Sequence, residues 1–402
     1  MENAIQSDSA DNLLIKATLL VTSTFTVMAG ATLSPSLPAM QAHFSTTDDV
    51  AFWVRLVLTL PALGIVIGAP ISGYLIDKLG RKSLLMLSIV VYGLAGSSGL
   101  FVDSLPLILV GRAFLGLAVA GIMTCVSTLI SDYYVGKTRA QLLGFQSAFS
   151  GLGGTIFLTL GGVLADVSWR APFLIYFMAF VVLPFVVFIL YEPHDEIATS
   201  KAMTQEMQAI RTPIGLMIFV YTCLLFMQAI FYIVPTQLPF HLQTLVQASS
   251  SQSGLAIAWM TLFFAGASSL AGWFAVRYDH LTLAVSAFVM TGVGYILVSI
   301  AQDWLFIIIG LPISGFGIGL LLPNLNVWLA NETPTAIRGR VFGGFATSVF
   351  LGQFISPFLS QPLISATNIP TGFLVWAGLL LGFGTLILIL RKPLVQFTQW
   401  TK

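Results

Sequence analysis

Charge is what this sequence has least of. Asp, Glu, Lys and Arg make up 8% of its 402 residues and hydrophobic residues 57%, where a soluble globular chain carries about 25% charged. So few charges cannot cover a solvated surface, and the chain reads as an integral membrane protein. A net charge of +1 gives no case for a nucleic-acid partner. Cysteine is nearly absent. Cys125 and Cys223 both lie inside apolar stretches on opposite halves of the chain, so packing is the expected role and a disulfide is not. No His/Cys/Asp/Glu cluster has metal-ligand spacing, and no nucleophile/base pair argues for an enzyme. No cofactor is expected. Acids are missing from the middle of every apolar stretch, so what charge the membrane interior holds is positive.

Apolar stretches fill the rest. A spanning helix needs roughly 20 apolar residues, and twelve such segments are predicted, at about 14–41, 50–76, 83–102, 105–131, 140–165, 170–191, 212–241, 253–276, 281–301, 304–329, 340–364 and 371–391. The expected organisation is a six-helix half at 1–191, a polar linker at 192–211 and a second six-helix half at 212–402. With the N-terminus inside, fourteen Lys and Arg residues fall on the cytoplasmic side and three (Arg55, Arg112 and Arg170) in the membrane or outside. That asymmetry predicts that both termini are cytoplasmic, and the expected location is the cell membrane, a bacterial inner or plasma membrane, as a multi-pass protein. Met1–Asp11 is polar and acidic, without a basic n-region, and reads as a cytoplasmic tail before a span that stays.

The densest charge cluster between spans is Gly73-Tyr74-Leu75-Ile76-Asp77-Lys78-Leu79-Gly80-Arg81-Lys82, joining spans two and three. Gly80 allows the tight turn between antiparallel helices. Read from the residues alone, this is a positive loop that fixes orientation. The run also resembles the signature loop of the major facilitator superfamily, Gly-x-x-x-Asp-Arg/Lys-x-Gly-Arg-Arg/Lys. The resemblance implies an all-α fold of twelve transmembrane helices in two pseudo-symmetric halves, with a substrate site at mid-membrane. It implies a conformational latch from Gly73, Asp77, Gly80, Arg81 and Lys82, with Asp132 at the end of span four. The loop from Glu332 through Arg338-Gly339-Arg340 resembles the second half's cytoplasmic charge cluster in that superfamily, which implies a latch role for Arg338 and Arg340 as well. The position matching the loop in the second half, Gly272 to His280, keeps a glycine and a base but loses the acid in register.

Arg112 lies about one turn deeper than a comfortable interface position, and an intramembrane cation is functional by default. Arg112 and Gly116 resemble the superfamily's span-four motif, associated with proton coupling in its antiporters, although Leu115 replaces the usual glutamine. With Val119, Met123 and Ser127 these residues share a face that suits a cavity wall. Arg55 reads as snorkelling to the outer interface, with a substrate contact as the other reading. Asp166 is the expected partner of Arg170. Pro35-x-x-Pro38 and Gly161-Gly162 resemble motifs of the drug/proton antiporter branch, but Phe157-Leu158 stand where that branch has Gly-Pro. Gln228 and Tyr232 in span seven, Asn324 in span ten and Gln353 in span eleven are candidate polar contacts for a ligand, with interhelical glue as the other reading.

The expectation is a secondary transporter working by alternating access. It would export a small amphiphile, neutral or anionic, in exchange for protons, with the proton gradient as energy source. Its partners would be the lipid bilayer, the substrate and protons, and it would be a monomer. An importer or symporter of the same fold, or a receptor or lipid scrambler on that fold, is the alternative.

Overall fold

The computed structural model describes residues 13–193 and 213–399. The N-terminal tail, most of the expected linker with His194, Lys201 and Arg211, and the last three residues lie outside the described residues. Twelve helices are long and apolar enough to cross a membrane among those described. They are α1 (Leu13–His43), α2 (Val50–Leu79), α3 (Arg81–Leu100), α4 (Leu105–Tyr133), α5 (Gly136–Val167), α6 (Ala171–Ile189), α7 (Ile214–Val246), α8 (Ser250–Ala275), α9 (His280–Ser299), α10 (Trp304–Glu332), α11 (Arg338–Ala366) and α12 (Ile369–Ile389). A short amphipathic helix, α13 (Arg391–Gln399), follows. The chain divides into two compact units, Met1–His194 with Ser249–Leu255, and Asp195–Ala248 with Ala256–Lys402.

Prolines punctuate the spans where ladder bonds can be spared. Pro35 and Pro38 turn the end of α1 through a 3₁₀ segment, Ser34–Ser36, into Leu37–His43. The α7 span is broken into Ile214–Phe231 and Ile233–Val246. Pro235 has no N–H for the carbonyl of Phe231, and the chain gives way at Tyr232 in between. Serine and threonine survive inside α1 because Thr18, Thr22 and Thr32 return their hydroxyl hydrogens to the carbonyls of Leu14, Thr18 and Met28.

Glycine permits the close crossings. A methyl group at Gly64 would sit 2.7 Å from the carbonyl oxygen of Ala113, so α2 and α4 touch backbone to backbone. In the second unit a methyl at Gly317 would sit 2.7 Å from the carbonyl of Ala287, the same device between α10 and α9. The outward faces carry Leu94, Ile156, Val181, Phe188 and Leu374, all exposed, as a surface wetted by lipid requires.

Candidate functional site: a buried arginine and two helix-end clasps

Arg112 is completely buried, at 0% exposure. Its Nε donates to the carbonyl of Val57 on α2 at 2.9 Å, and one terminal nitrogen donates to the hydroxyl of Tyr176 at the start of α6 at 2.8 Å. The other terminal nitrogen donates to the carbonyl of Ala29 on α1. One guanidinium therefore ties α4 to α1, α2 and α6. The planar fork reaches three acceptors on three elements at once, which an ammonium group cannot copy. Tyr176 is held in turn by Tyr92, whose ring lies 5.6 Å away and whose hydroxyl donates to the carbonyl of Phe25 at 2.9 Å.

This corrects the cavity-wall expectation for the upper part of that face. Gly116 packs against Pro61 and Gly64 of α2, and Val119 is buried. The face opens only at Met123 and Ser127. Arg55 does not reach solvent either. It is buried, and one terminal nitrogen donates to Gln41 at 2.9 Å and to the carbonyl of Ala51 at 2.6 Å.

At the far ends of α2 and α3 the loop forms a clasp. Gly80 has φ +82°, a conformation that other residues rarely adopt. Glu192, just past the end of α6, accepts the backbone N–H groups of Arg81 at 2.5 Å and Lys82 at 2.8 Å. Its carboxylate thus caps the positive end of α3. Arg81 Nε lies 3.2 Å from Asp132 Oδ2 on α4, and Lys82 Nζ donates to the carbonyl of Val187 on α6 at 2.8 Å. Tyr133 and Tyr191 stack at 4.4 Å and close the same corner. The loop residues Gly80, Arg81, Lys82 and Asp132 are therefore brought together. Asp77 and Gly73 are not. Asp77 is exposed, with no hydrogen bond or ion pair among the described residues, and a methyl group at Gly73 would meet nothing within 4 Å.

The second unit has a clasp at the corresponding place. Asp279 caps α9 through Thr282, whose N–H and hydroxyl donate at 3.2 and 2.6 Å. Arg391, past the end of α12, lies 2.8 Å from the same carboxylate. Burial raises the Asp279 carboxyl, but the Thr282 hydrogen bonds and the Arg391 charge outweigh it and hold it below its usual value. Asn324 belongs here and acts as interhelical glue, the second of its two readings. Its side-chain oxygen lies 2.7 Å from His280 Nδ1, its amide donates to the His280 carbonyl at 2.9 Å, and Trp328 stacks on the imidazole. Both ends of the amide are taken. Arg338 donates to the carbonyls of Ala330 and Thr333 and so caps α10, while Arg340 is exposed.

The remaining amides differ. Gln228 is buried against Gly352 of α11, and its Oε1 has no hydrogen-bond partner among the described residues. Tyr232 stands half-buried at the break in α7, and Gln353 is half-buried on α11. On the opposite edge Arg170 pairs with Asp103 at 2.6 Å, not with Asp166. Asp166 accepts instead from Ser251 at the start of α8. His43 also binds Asp103, at 2.7 Å. The role of Glu192 escaped the sequence because its position reads as linker. Tyr176 had one usable signal, a phenol inside an apolar span, which needs a partner when buried.

Twelve spans in two units, an arginine bracing one of them and a clasp at the same end of each define a polytopic transporter. The chain matches the family model described as Major Facilitator Superfamily over residues 19–248 and 220–399, and it belongs to that superfamily. It is 24% identical to the bacillibactin exporter of Bacillus subtilis (strain 168), over 85% of this chain and 87% of that one. It is 25% identical to the class H tetracycline resistance protein of Pasteurella multocida, over 91% and 92%. Its fold is similar to that of a D-xylose-proton symporter, with a TM-score of 0.75 at 14% identity over 91% of this chain and 96% of that one.

Proposed function

We propose that this transporter exports a small amphiphilic compound, neutral or anionic, in exchange for protons. The observation that carries the substrate charge is the sign of the buried charge. Arg112 and Arg55 are buried, and no Asp or Glu is buried among the described residues. A cationic ligand in such a unit meets repulsion without a counter-charge, whereas an anionic or neutral one does not. Arg112 acts through its field and by fixing α1, α2 and α6, since each of its three nitrogens already donates within the unit. Gln228, Tyr232 and Gln353 are the neutral polar contacts, with Gln228 Oε1 as an open acceptor. The export direction follows the similarity to the bacillibactin exporter, and proton exchange is the energy source that needs no cofactor. Asp77, unpaired among the described residues, is left to a partner that changes during the cycle. The protein works as a monomer in the cell membrane with its termini in the cytoplasm.

The test uses the full-length protein in proteoliposomes, with and without an imposed pH gradient, and three probes: bacillibactin, tetracycline and ethidium. Gradient-driven movement of an anionic or neutral probe, with ethidium excluded, is the expected result. Preference for ethidium, or flux indifferent to the gradient, overturns the substrate charge or the coupling respectively.

A further inference from the structure

His241 lies in the outer segment of α7, 3% exposed, and the transport reading above makes no use of it. Its Nε2 lies 3.3 Å from the carbonyl of Val298 on α9, and its ring centre is 6.2 Å from that of Phe373 on α12. A carbonyl only accepts, so Nε2 carries a hydrogen and the neutral ring keeps its lone pair on Nδ1. Imidazole is the one side chain whose ordinary titration falls in the physiological range. The two other described histidines sit at helix ends, His43 against Asp103 and His280 against Asn324. His241 is therefore the one buried group among the described residues that can exchange a proton near neutral pH.

The nearest turn of the same helix offers an acceptor for a second hydrogen. Gln237 lies one turn earlier on the same helix and is completely buried. Side chains four apart on a helix are neighbours, and the later one leans back over the earlier turn. The Gln237 amide is fixed: its Nε2 donates to Gln361 Oε1 on α11 at 3.1 Å, and Gln361 Nε2 donates on to Ser365 at 3.0 Å. That chain leaves Gln237 Oε1 buried without a partner. On the α11 face, Ser356 and Ser360 are also fully buried, with hydroxyls lacking any partner among the described residues. Unmatched buried acceptors of this kind ask for a donor that is present in only some states of the protein.

We propose that His241 is the proton-coupling group of this transporter: it takes a proton on Nδ1, and Gln237 Oε1 receives the new N–H. The proposal rests on the proton-exchange reading. No fixed charge faces His241 from the elements around it. On α9 the titratable groups are Tyr295, whose hydroxyl donates to the carbonyl of Ile230 at 2.8 Å, and His280 at the far end. Ile369–Ile389 contains no titratable residue, α11 has only Arg338 and Arg340 at its opposite end, and the exposed Asp303 lies beyond α9. An imidazolium here is thus stabilised by hydrogen bonds alone, which makes its occupancy sensitive to any movement of α11 against α7.

The experiment has two arms on the full-length protein. In nanodiscs, ¹⁵N-histidine spectra of wild type and His241→Gln assign the His241 ring. It should titrate within about pH 5 to 8, and Gln237→Leu should move its midpoint down, because the acceptor for the charged form is gone. In proteoliposomes with tetracycline as probe, His241→Gln should lose gradient-driven accumulation by roughly tenfold or more, the size of a lost coupling between two sites, yet keep downhill exchange. A His241 ring that stays neutral over that range, or a His241→Gln variant that still accumulates the probe against a gradient, overturns the proposal. Wild-type flux indifferent to the gradient overturns the proton-exchange reading first, and the role of His241 falls with it.

Discussion

Replacing Arg112 by lysine and by methionine separates a brace from a ligand-binding cation. The guanidinium donates to the Val57 carbonyl, the Ala29 carbonyl and the Tyr176 hydroxyl with no solvent contact. Lysine keeps the buried charge, but its single nitrogen cannot reach acceptors on α1, α2 and α6 together. At least one charge-assisted bond is lost, at about 1.5–3 kcal/mol each, and an under-bonded buried charge adds to the cost. Arg112→Lys should therefore lose about 2–4 kcal/mol. Methionine loses all three bonds, about 4.5–9 kcal/mol at the same rate, but it also removes the desolvation penalty of the charge, which is likewise several kcal/mol per ion. The two nearly cancel, so Arg112→Met should fold about as stably as wild type while losing gradient-driven export. The assay is thermal unfolding in detergent beside proteoliposome flux, and the lysine variant should melt several degrees below the methionine variant. If lysine matches wild type and methionine is the unstable one, charge and not the fork is what the site needs, and the brace argument is refuted.

Glu192→Ala removes the acceptor for two helix N-terminal amides and should cost about 1–2 kcal/mol, as an N-cap deletion does, read as a lower Tm; an unchanged Tm would show that the cap is idle. Asp77→Asn should leave the Tm within about 0.5 kcal/mol of wild type, as for an exposed position, yet reduce export sharply; wild-type export at equal expression would reduce Asp77 to a topological signal. On the opposite edge the hydrogen bond from His43, reinforced by the Arg170 charge and opposed by desolvation, holds the Asp103 carboxyl below its usual value. The stabilisation is then in force above the unfolded-state pKa and lost as pH falls through the folded one, so melting curves of Asp103→Asn should be flatter than those of wild type in that acid window.

The spans were legible because lipid leaves little choice of residue. The expected 14–41 and 304–329 became Leu13–His43 and Trp304–Glu332. The depth of Arg112 was legible for the same reason, since a cation in an apolar run stands out. Its partners were not, because two of the three are backbone carbonyls, which no residue type announces. Asn324 stayed ambiguous in the sequence because an amide in a long apolar helix suits a ligand contact and interhelical glue alike. It lies toward the Glu332 end of α10, where His280 consumes both of its polar ends. His241 was not legible, since a single imidazole in a proline-rich segment carries no spacing signal.

The two clasps solve one mechanical problem with opposite charges, and the reason lies in one residue. Each must hold the start of a unit's third helix to its fourth and sixth. In the first unit the residue before that helix is Gly80, which has no side chain to offer the free amides, so an acid comes from the end of α6 as Glu192. In the second unit Asp279 stands there with φ −69°, caps its own helix, and needs a cation from the end of α12, which Arg391 supplies. Residue choice at the cap thus sets the sign of the partner at the sixth helix. The inference predicts coupling between positions 80 and 192. Gly80→Ala should cost roughly 1–3 kcal/mol, because its φ of +82° is strained for any side chain, and a methyl there would sit 2.7 Å from Glu192 Oε1. Gly80→Asp should cost more, since a second carboxylate is forced against the first. Adding Glu192→Arg to Gly80→Asp should recover part of that loss, whereas Glu192→Arg alone, with no acid at the cap position and two amides left bare, should destabilise. A double-mutant cycle read by thermal unfolding decides it: strictly additive effects would mean that the cap and the sixth-helix end do not choose each other's charge.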